Sequence, residues 1–393
     1  MGRAVLERLA AEPWPGRIVA CRRDAERGAE ACRLARVAAL ASGAGGAAGA
    51  GGAAGAGEGP LPAIEFERLD VTDPNLVADV VGRTRPDLVL LTMSLQTWWL
   101  PALLPEQAAA PFRGIGFGAW LPLHLPLVLA AMRSLAAAGY EGPILSAPFP
   151  DVTGPVLRRL CLAPTCGVGN VAEMVPKLRA LAAERLAEAG DASATPADVE
   201  VTLVAHHALL SAAYRRQQVP APGQVPPHHL RIRRGGRDVT EAVGAEELLL
   251  RPWPLPGGAA WASLTAACTV RLMRAVLSEG ETRLHAPSPD GLPGGYPVLA
   301  GRGAVRPAPI EGLKLEEAVR LNERSHRFDG IERIEEDGTV VFAERVRSAM
   351  TGTLGFDCPR LAPDEAAGCG AELRERFAAY AARHGADLSA GRI

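Results

Sequence analysis

The sequence predicts an α/β fold with a doubly wound parallel sheet, followed by a second domain of the α+β type. Two observations lead to this prediction. Short apolar segments rich in β-branched residues alternate with stretches of helical periodicity up to residue 146. From about residue 171, long helices and hairpin-like strand pairs replace this alternation. Strands that alternate with helices form parallel sheets covered by helices on both faces.

The predicted elements can be given in chain order. In the first half we predict a helix at 1–9, strands at 17–21, 64–70, 86–93 and 142–146, and helices at 71–84 and 116–138. In the second half we predict helices at 171–189, 259–278, 314–324 and 371–383, a strand at 199–207, and hairpins at 230–237 and 331–342. Residues 42–59 are almost entirely Gly and Ala, so they predict a flexible surface loop that interrupts the first domain.

The chain begins partway through a nucleotide-binding pattern. A helix, a short turn and a strand that ends in charged residues form the second half of a βαβ unit that binds dinucleotides. Gly2 fits the last glycine of the phosphate-binding fingerprint, which lies just inside such a helix. We therefore expect that this sequence lacks the first strand and the glycine-rich turn of a Rossmann-like sheet, and that this version binds its cofactor poorly.

Candidate cofactor-binding residues lie where the predicted strands end, because open α/β sheets bind ligands there. Besides Gly2, they are Thr92, Met93, Ser94 and Ser146 at two strand ends, and Arg22 and Arg23 at a third. Arginine at that third position accommodates the 2′-phosphate of NADP, although a solvated surface pair is an equal alternative. Trp98 and Trp99 follow the strand at 86–93, and we predict that they pack against the second domain rather than close a pocket.

Candidate catalytic residues are two successive histidines and one glutamate. His206 and His207 end the strand at 199–207, and Glu173 begins a long helix. A histidine oriented by a carboxylate is a common means of proton transfer at neutral pH. Successive strand residues point to opposite faces, so only one histidine faces a site, and the sequence leaves open which. We also predict Asp151 or Thr153 as the cap of an earlier helix.

These features resemble the lactate/malate dehydrogenase superfamily over residues 1–330. The matching segments are 167–170 with Glu173, 205–208, 295–305 and 313–317, and residues 290–301 are the most specific. The resemblance implies a dinucleotide-binding domain at 1–165, a catalytic domain at 166–330, a C-terminal extension at 331–393 and a homodimer. It implies an NAD(P)-dependent oxidoreductase with NADP or NAD as cofactor, a histidine as acid or base, and Glu173 as its partner.

The sequence departs from this family at the positions that recognise the substrate. Pro176, followed by Lys177, stands where the family has an arginine for the substrate carboxylate. No arginine follows Met93, and Ala147 replaces the usual asparagine. Because a bidentate arginine is hard to replace in carboxylate recognition, we expect a small hydroxy or carbonyl substrate other than lactate or malate.

Charge, hydropathy and cysteine content indicate which classes of partner and which cellular compartment to expect. The formal net charge of −2 argues against a nucleic-acid binder. The apolar stretch at 120–135 includes His124 and Arg133, and the chain does not begin with a signal peptide, so we expect no membrane partner. Seven scattered cysteines without a Cys-x-x-Cys motif predict reduced thiols and a cytoplasmic location.

Two alternatives stay open at this point. The related NAD- and metal-dependent glycosidases bind a metal through a cysteine and a histidine near the positions of Cys166 and His206, although the segment at 296–305 fits the dehydrogenases better, and we predict no metal. A non-catalytic nucleotide-binding relative is the second alternative. We exclude a short-chain dehydrogenase, because Tyr140 lacks the Tyr-x-x-x-Lys spacing.

Overall fold

The computed structural model describes residues 1–42, 60–214 and 223–388. Parallel strands and helices form the first part of the chain, an antiparallel sheet forms the second, and a small sheet with two helices forms the C-terminal extension. The fold class is α/β, as the sequence predicts. Apart from Ser42, the predicted flexible loop at 42–59 lies outside the described residues.

The first part contains two parallel sheets. One pairs β1 (Arg17–Arg22) with β2 (Ala63–Arg68), and the other has the order β3 (Val89–Leu91), β4 (Ile144–Ser146), β5 (Cys166–Gly167). Its helices are α1 (Gly2–Leu9), α2 (Ala25–Ala41), α3 (Pro74–Thr84), α4 (Glu106–Ala109), α5 (Leu121–Ala137) and α6 (Pro150–Arg159). In the described residues no backbone ladder joins β1 to β3, so the predicted sheet is present as two separate sheets.

Local sequence signals explain where these helices begin. The Asp24 side chain accepts a hydrogen bond from the backbone N–H of Arg27 and caps α2, and Asp73 caps α3 ahead of Pro74.

Helix α5 is apolar on nearly all sides, and Phe117–Ala137 is long and apolar enough to cross a membrane. However, 83% of its most apolar window is buried inside the protein, which is typical of a core helix.

The second part is built on an antiparallel sheet. Its strands are β6 (Val199–Ala205), β7 (His228–Arg234), β8 (Arg237–Asp238), β9 (Thr282–Pro287), β10 (Gly295–Gly301) and β11 (Ala304–Pro307). The order is β11-β10-β6-β7-β8, and β9 pairs with β10. Its helices are α7 (Met174–Glu188), α8 (His207–Ala213), α9 (Ala245–Leu250), α10 (Ala262–Val276) and α11 (Leu315–Ser325). Helix α10 shares a buried apolar core with Val5 and Leu9 of α1.

The C-terminal extension packs against the first part of the chain. It consists of β12 (Ile331–Ile334), β13 (Val340–Phe342), α12 (Glu344–Leu354), β14 (Arg360–Leu361) and α13 (Ala366–Arg383). Phe377 of α13 is fully buried, and its ring lies 5.3 Å from the ring of Trp120, just before α5. The sequence predicted the hairpin and the last helix but neither α12 nor β14. The extension therefore completes the hydrophobic core around α5.

Candidate functional site

A cavity of about 1120 Å³ lies where the three parts of the chain meet. Residues after β3 and β4 form one wall, the beginning of α8 and Glu173 form another, and residues 327–329 with Arg345 of the C-terminal extension close a third side. Such a volume exceeds the usual size of a pocket for one small molecule.

His206 and His207 occupy two different environments at the beginning of α8. Strand β6 ends at Ala205, and His206 is the N-cap of α8, whose Nδ1 accepts a hydrogen bond from the backbone N–H of Ala208 at 3.2 Å. The side chain of His206 is fully buried, whereas His207 borders the cavity and is 20% exposed. The helix cap, and not strand alternation, thus selects His207 as the histidine that faces the cavity.

The ring of His207 pairs with the carboxylate of Asp329. His207 Nδ1 lies 2.8 Å from Asp329 Oδ2, and Asp329 is almost completely buried. Burial lowers the pKa of His207, but the carboxylates around it, Asp329 foremost, outweigh this effect and raise the pKa to about 9. Burial alone would raise the pKa of Asp329, yet the two neighbouring histidines hold it far below its usual range. The pair is therefore ionic at neutral pH.

Two glycines allow Asp329 to reach this position. A β-carbon at Gly116 would lie 2.3 Å from the carbonyl carbon of Asp329, and one at Gly118 would lie 2.4 Å from its carbonyl oxygen. Gly116 also has a φ of +96°, which favours glycine. Between them, the backbone N–H of Phe117 donates to Asp329 Oδ1 at 3.2 Å. The segment before α5 therefore holds the second oxygen of the carboxylate.

Asp151 holds the backbone at the beginning of α8. Its Oδ1 accepts hydrogen bonds from the backbone N–H of His207 at 2.8 Å and from the side-chain amide of Asn170. Asp151 is fully buried, which raises its pKa. Neither Asp151 nor Thr153 caps α6, because both lie inside it and Phe149 is the N-cap residue, so the sequence prediction of a cap is wrong.

Glu173 does not pair with either histidine. Its Oε2 accepts a hydrogen bond from Trp261 Nε1 at 3.1 Å, and its Oε1 accepts one from the hydroxyl of Thr265. Burial raises the pKa of Glu173. The prediction that Glu173 orients the histidine is therefore corrected. Trp261 and Thr265, in the first turn of α10, donate the hydrogen bonds to Glu173. Asp329 is the carboxylate that pairs with His207. Glu173 still borders the cavity.

The candidate cofactor-binding residues divide into two groups. Thr92 and Ser94 border the cavity together with Met1, and Gly2 packs so closely against Thr92 that a β-carbon there would lie 2.7 Å from the threonine hydroxyl. Gly2 itself and the other four candidates are absent from the lining of this cavity. Met93 packs against the core around α5, Ser146 is buried at the end of β4, and Arg22 is the last residue of β1 with Arg23 directly after it.

The two tryptophans after β3 are in different surroundings. Trp99 is 8% exposed and belongs to the core around α5, which is formed by the first part of the chain and the C-terminal extension. Trp98 is 46% exposed and borders the cavity. The core that contains Trp99 includes no residue of the second domain, so the prediction that the two tryptophans pack against that domain is wrong. Lys177 is buried, and its Nζ donates to the backbone carbonyls of Leu249 and Arg251, so it is not available to a substrate.

The proposed metal ligands of a glycosidase do not form a metal site. Cys166 is fully buried in an apolar core, which raises the pKa of its thiol, and His206 is committed to its helix cap. In the described ranges, no group of three or more His, Cys, Asp or Glu side chains is arranged to hold a metal ion. The residues present therefore do not fit a catalytic metal.

Comparisons with known proteins give structural similarities only. No protein-family model and no curated protein matches the sequence. Among solved structures, malate dehydrogenase from Plasmodium falciparum in complex with NADH is similar at 13% identity and a TM-score of 0.47, over 83% of this chain and 90% of that one. Malate dehydrogenase from Salinibacter ruber is similar at 15% identity and a TM-score of 0.47, over 84% of this chain and 92% of that one.

A third similar structure is the minor L-lactate dehydrogenase from Enterococcus mundtii, at 11% identity and a TM-score of 0.46, over 83% of this chain and 92% of that one. These enzymes belong to the family that the sequence motifs resemble. All three TM-scores are below 0.5, so the similarity itself assigns neither substrate nor cofactor to this chain.

Proposed function

We propose that this protein is an NAD(P)-dependent oxidoreductase that reduces a carbonyl compound or oxidises the corresponding alcohol, with His207 as the proton-transfer residue. The observation that carries this proposal is the pair of His207 and Asp329, with Nδ1 and Oδ2 2.8 Å apart, in the wall of a large cavity. A histidine whose inner nitrogen bonds a buried carboxylate presents its other nitrogen to a ligand in a fixed orientation.

The charge of His207 favours one direction at neutral pH. With a pKa of about 9, the imidazolium is ready to donate its Nε2 proton to the oxygen of a carbonyl that is being reduced. The carboxylate of Asp329 stabilises the imidazolium before this step and fixes the tautomer after it. For alcohol oxidation His207 must first lose its proton, so we expect oxidation to speed up as pH approaches 9 and reduction to slow down above that value.

The residues around the cavity fit the nicotinamide end of a cofactor. Thr92 and Ser94 border the cavity, and the beginning of α1 lies directly beside Thr92. The Ser94 hydroxyl donates to the carbonyl oxygen of Gln96, so its lone pairs remain for a donor. Thr92 and Ser94 would hold the nicotinamide amide, and the cofactor would supply the hydride chemistry when bound. The preference for NADP over NAD through Arg22 and Arg23 is part of the same proposal.

Cofactor binding is the first test. We would titrate the full chain with NADH and with NADPH and follow nicotinamide fluorescence and the midpoint of thermal unfolding. Binding should be weak but saturable, and the midpoint should rise. If Arg22 and Arg23 select NADP, the double variant R22S/R23S should lose affinity for NADPH and keep its affinity for NADH. The absence of binding and of any thermal shift with both cofactors would contradict the proposal.

The role of His207 is the second test. With a panel of ketones and aldehydes and the preferred cofactor, His207→Gln should lower kcat/KM by about 10²- to 10⁴-fold, as expected for loss of a general acid. His206→Gln is the matched control, because it removes a buried helix cap and should mainly lower the unfolding midpoint. Equal and small effects of both substitutions on kcat/KM would argue against a catalytic histidine.

A further inference from the structure

We infer that the ligand of this cavity is an aromatic compound with an anionic group, and that Arg345 of α12 binds this group. The inference rests on the proposed function for its place in the reaction, but it is drawn from side chains that have no part in proton transfer.

Aromatic side chains are enriched in the cavity wall. Phe, Tyr and Trp make up 5% of the chain, but they account for eight of the 34 residues that line the cavity. Phe117 and Phe149 pack edge to face at 4.8 Å, and their rings lie 4.9 and 5.1 Å from that of His207. A flat apolar ligand that stacks here would therefore lie next to the proton-transfer residue.

The ionic side chains of the wall differ in how they are paired. The carboxylates of Glu173 and Asp329 already accept hydrogen bonds from neighbouring side chains. Arg327 pairs with Glu332 at 2.7 Å. Arg345 also borders the cavity. In the described ranges no carboxylate pairs with its guanidinium. His207 is also a cation of this wall, but Asp329 pairs with it, so Arg345 is the side-chain cation left for an anionic ligand.

Backbone carbonyls orient the guanidinium of Arg345. Its Nη2 donates to the carbonyl oxygens of Arg327 and Phe328, the second at 3.1 Å. These two bonds use Nη2, which belongs to both bidentate faces of a guanidinium. Nε and Nη1 are left to donate single charge-assisted hydrogen bonds to an anionic group. The same short segment continues into Asp329, so the orientation of Arg345 is linked to the position of the His207 partner. Lys177, the other cation considered from the sequence, is buried under carbonyl groups.

A matched pair of ligands tests the inference. We would titrate 2-naphthoate and 2-naphthamide into the full chain at pH 7 by isothermal titration calorimetry. The unsubstituted chain should bind the carboxylate at least tenfold more tightly than the amide. Arg345→Met should remove this preference by weakening binding of the carboxylate alone. Arg345→Lys should keep part of it, because the positive charge remains while the orientation given by the two backbone carbonyls is lost.

Arg324→Met is the control, since Arg324 is exposed on α11 and does not line the cavity. Equal affinities for both ligands, an unchanged preference in Arg345→Met, or no binding of either ligand would overturn the inference. These titrations need neither cofactor nor turnover. If NADH and NADPH fail to bind, the proposed oxidoreductase function is refuted, but the inference about an anionic aromatic ligand is not. If the naphthalene ligands show no preference that depends on Arg345, the inference is refuted, but the proposed function is not.

Discussion

Glu173 and Asp329 are both buried carboxylates in the wall of one cavity, but their surroundings differ in charge. Glu173 receives hydrogen bonds from the neutral donors Trp261 and Thr265, and burial raises its pKa. Asp329 faces two histidines, and its pKa is held far below the usual range. The charge of the neighbouring groups, more than the depth of burial, therefore decides whether a carboxylate in this cavity supports a cation.

Removal of the Asp329 charge should have the largest effect. In Asp329→Asn, the buried ring of His207 loses its counterion, so we expect a loss of about 3 kcal/mol in the free energy of unfolding at pH 7. The pKa of His207 should fall below 6.5, because burial then dominates. Urea unfolding and an NMR titration of the His207 ring measure the two effects. A His207 pKa that stays near 9 in this variant would show that another group supports its charge.

The change in the free energy of unfolding with pH should be the second largest effect. The pKa of His207 is about 9 in the folded protein and about 6.5 in the unfolded chain. Its stabilisation is therefore fully present below pH 6.5 and is lost as pH rises through 9, because the folded state binds the extra proton. We expect the free energy of unfolding to fall by about 2 to 3 kcal/mol across this window. The His207→Gln variant serves as control and should lack this part of the fall.

Neutralisation of Glu173 should have the smallest effect. Glu173→Gln keeps an acceptor oxygen for a neutral donor, so we expect the free energy of unfolding to change by less than about 1 kcal/mol. The pKa of His207 should change only slightly, since Glu173 is a minor contributor to it. The same urea unfolding and NMR titration provide the measurement. If this variant lowered the His207 pKa as strongly as Asp329→Asn, the contrast between the two carboxylates would be wrong.

The fold was largely predictable because periodicity is a local signal. Apolar alternation identified the positions of β1, β2 and β6, and the helical period identified α5 and α10. Very short elements such as β14 carry no such signal. The division of the parallel strands into two sheets depends on contacts between distant segments, and the sequence alone did not indicate it.

The site was predictable only in part, because its contacts also join segments that are far apart in the sequence. His207 was found because both histidines follow a clear strand, but its partner Asp329 lies 122 residues further along the chain, at the boundary of a segment outside the family resemblance. Spacing suggested Glu173, and the structure does bring it to the cavity. Its bonding partners, Trp261 and Thr265, are 88 and 92 residues away, and no local pattern pointed to them.

The close approach of Gly116 and Gly118 to Asp329 has a consequence for how sequence changes could alter the chemistry. A methyl group at either position would act as a steric wedge between the segment before α5 and the C-terminal extension. The wedge would move the carboxylate of Asp329, and this movement would change the proton affinity of His207. The acidity of this cavity is thus set in part by the smallest side chains near it, at positions that a search for reactive groups would pass over.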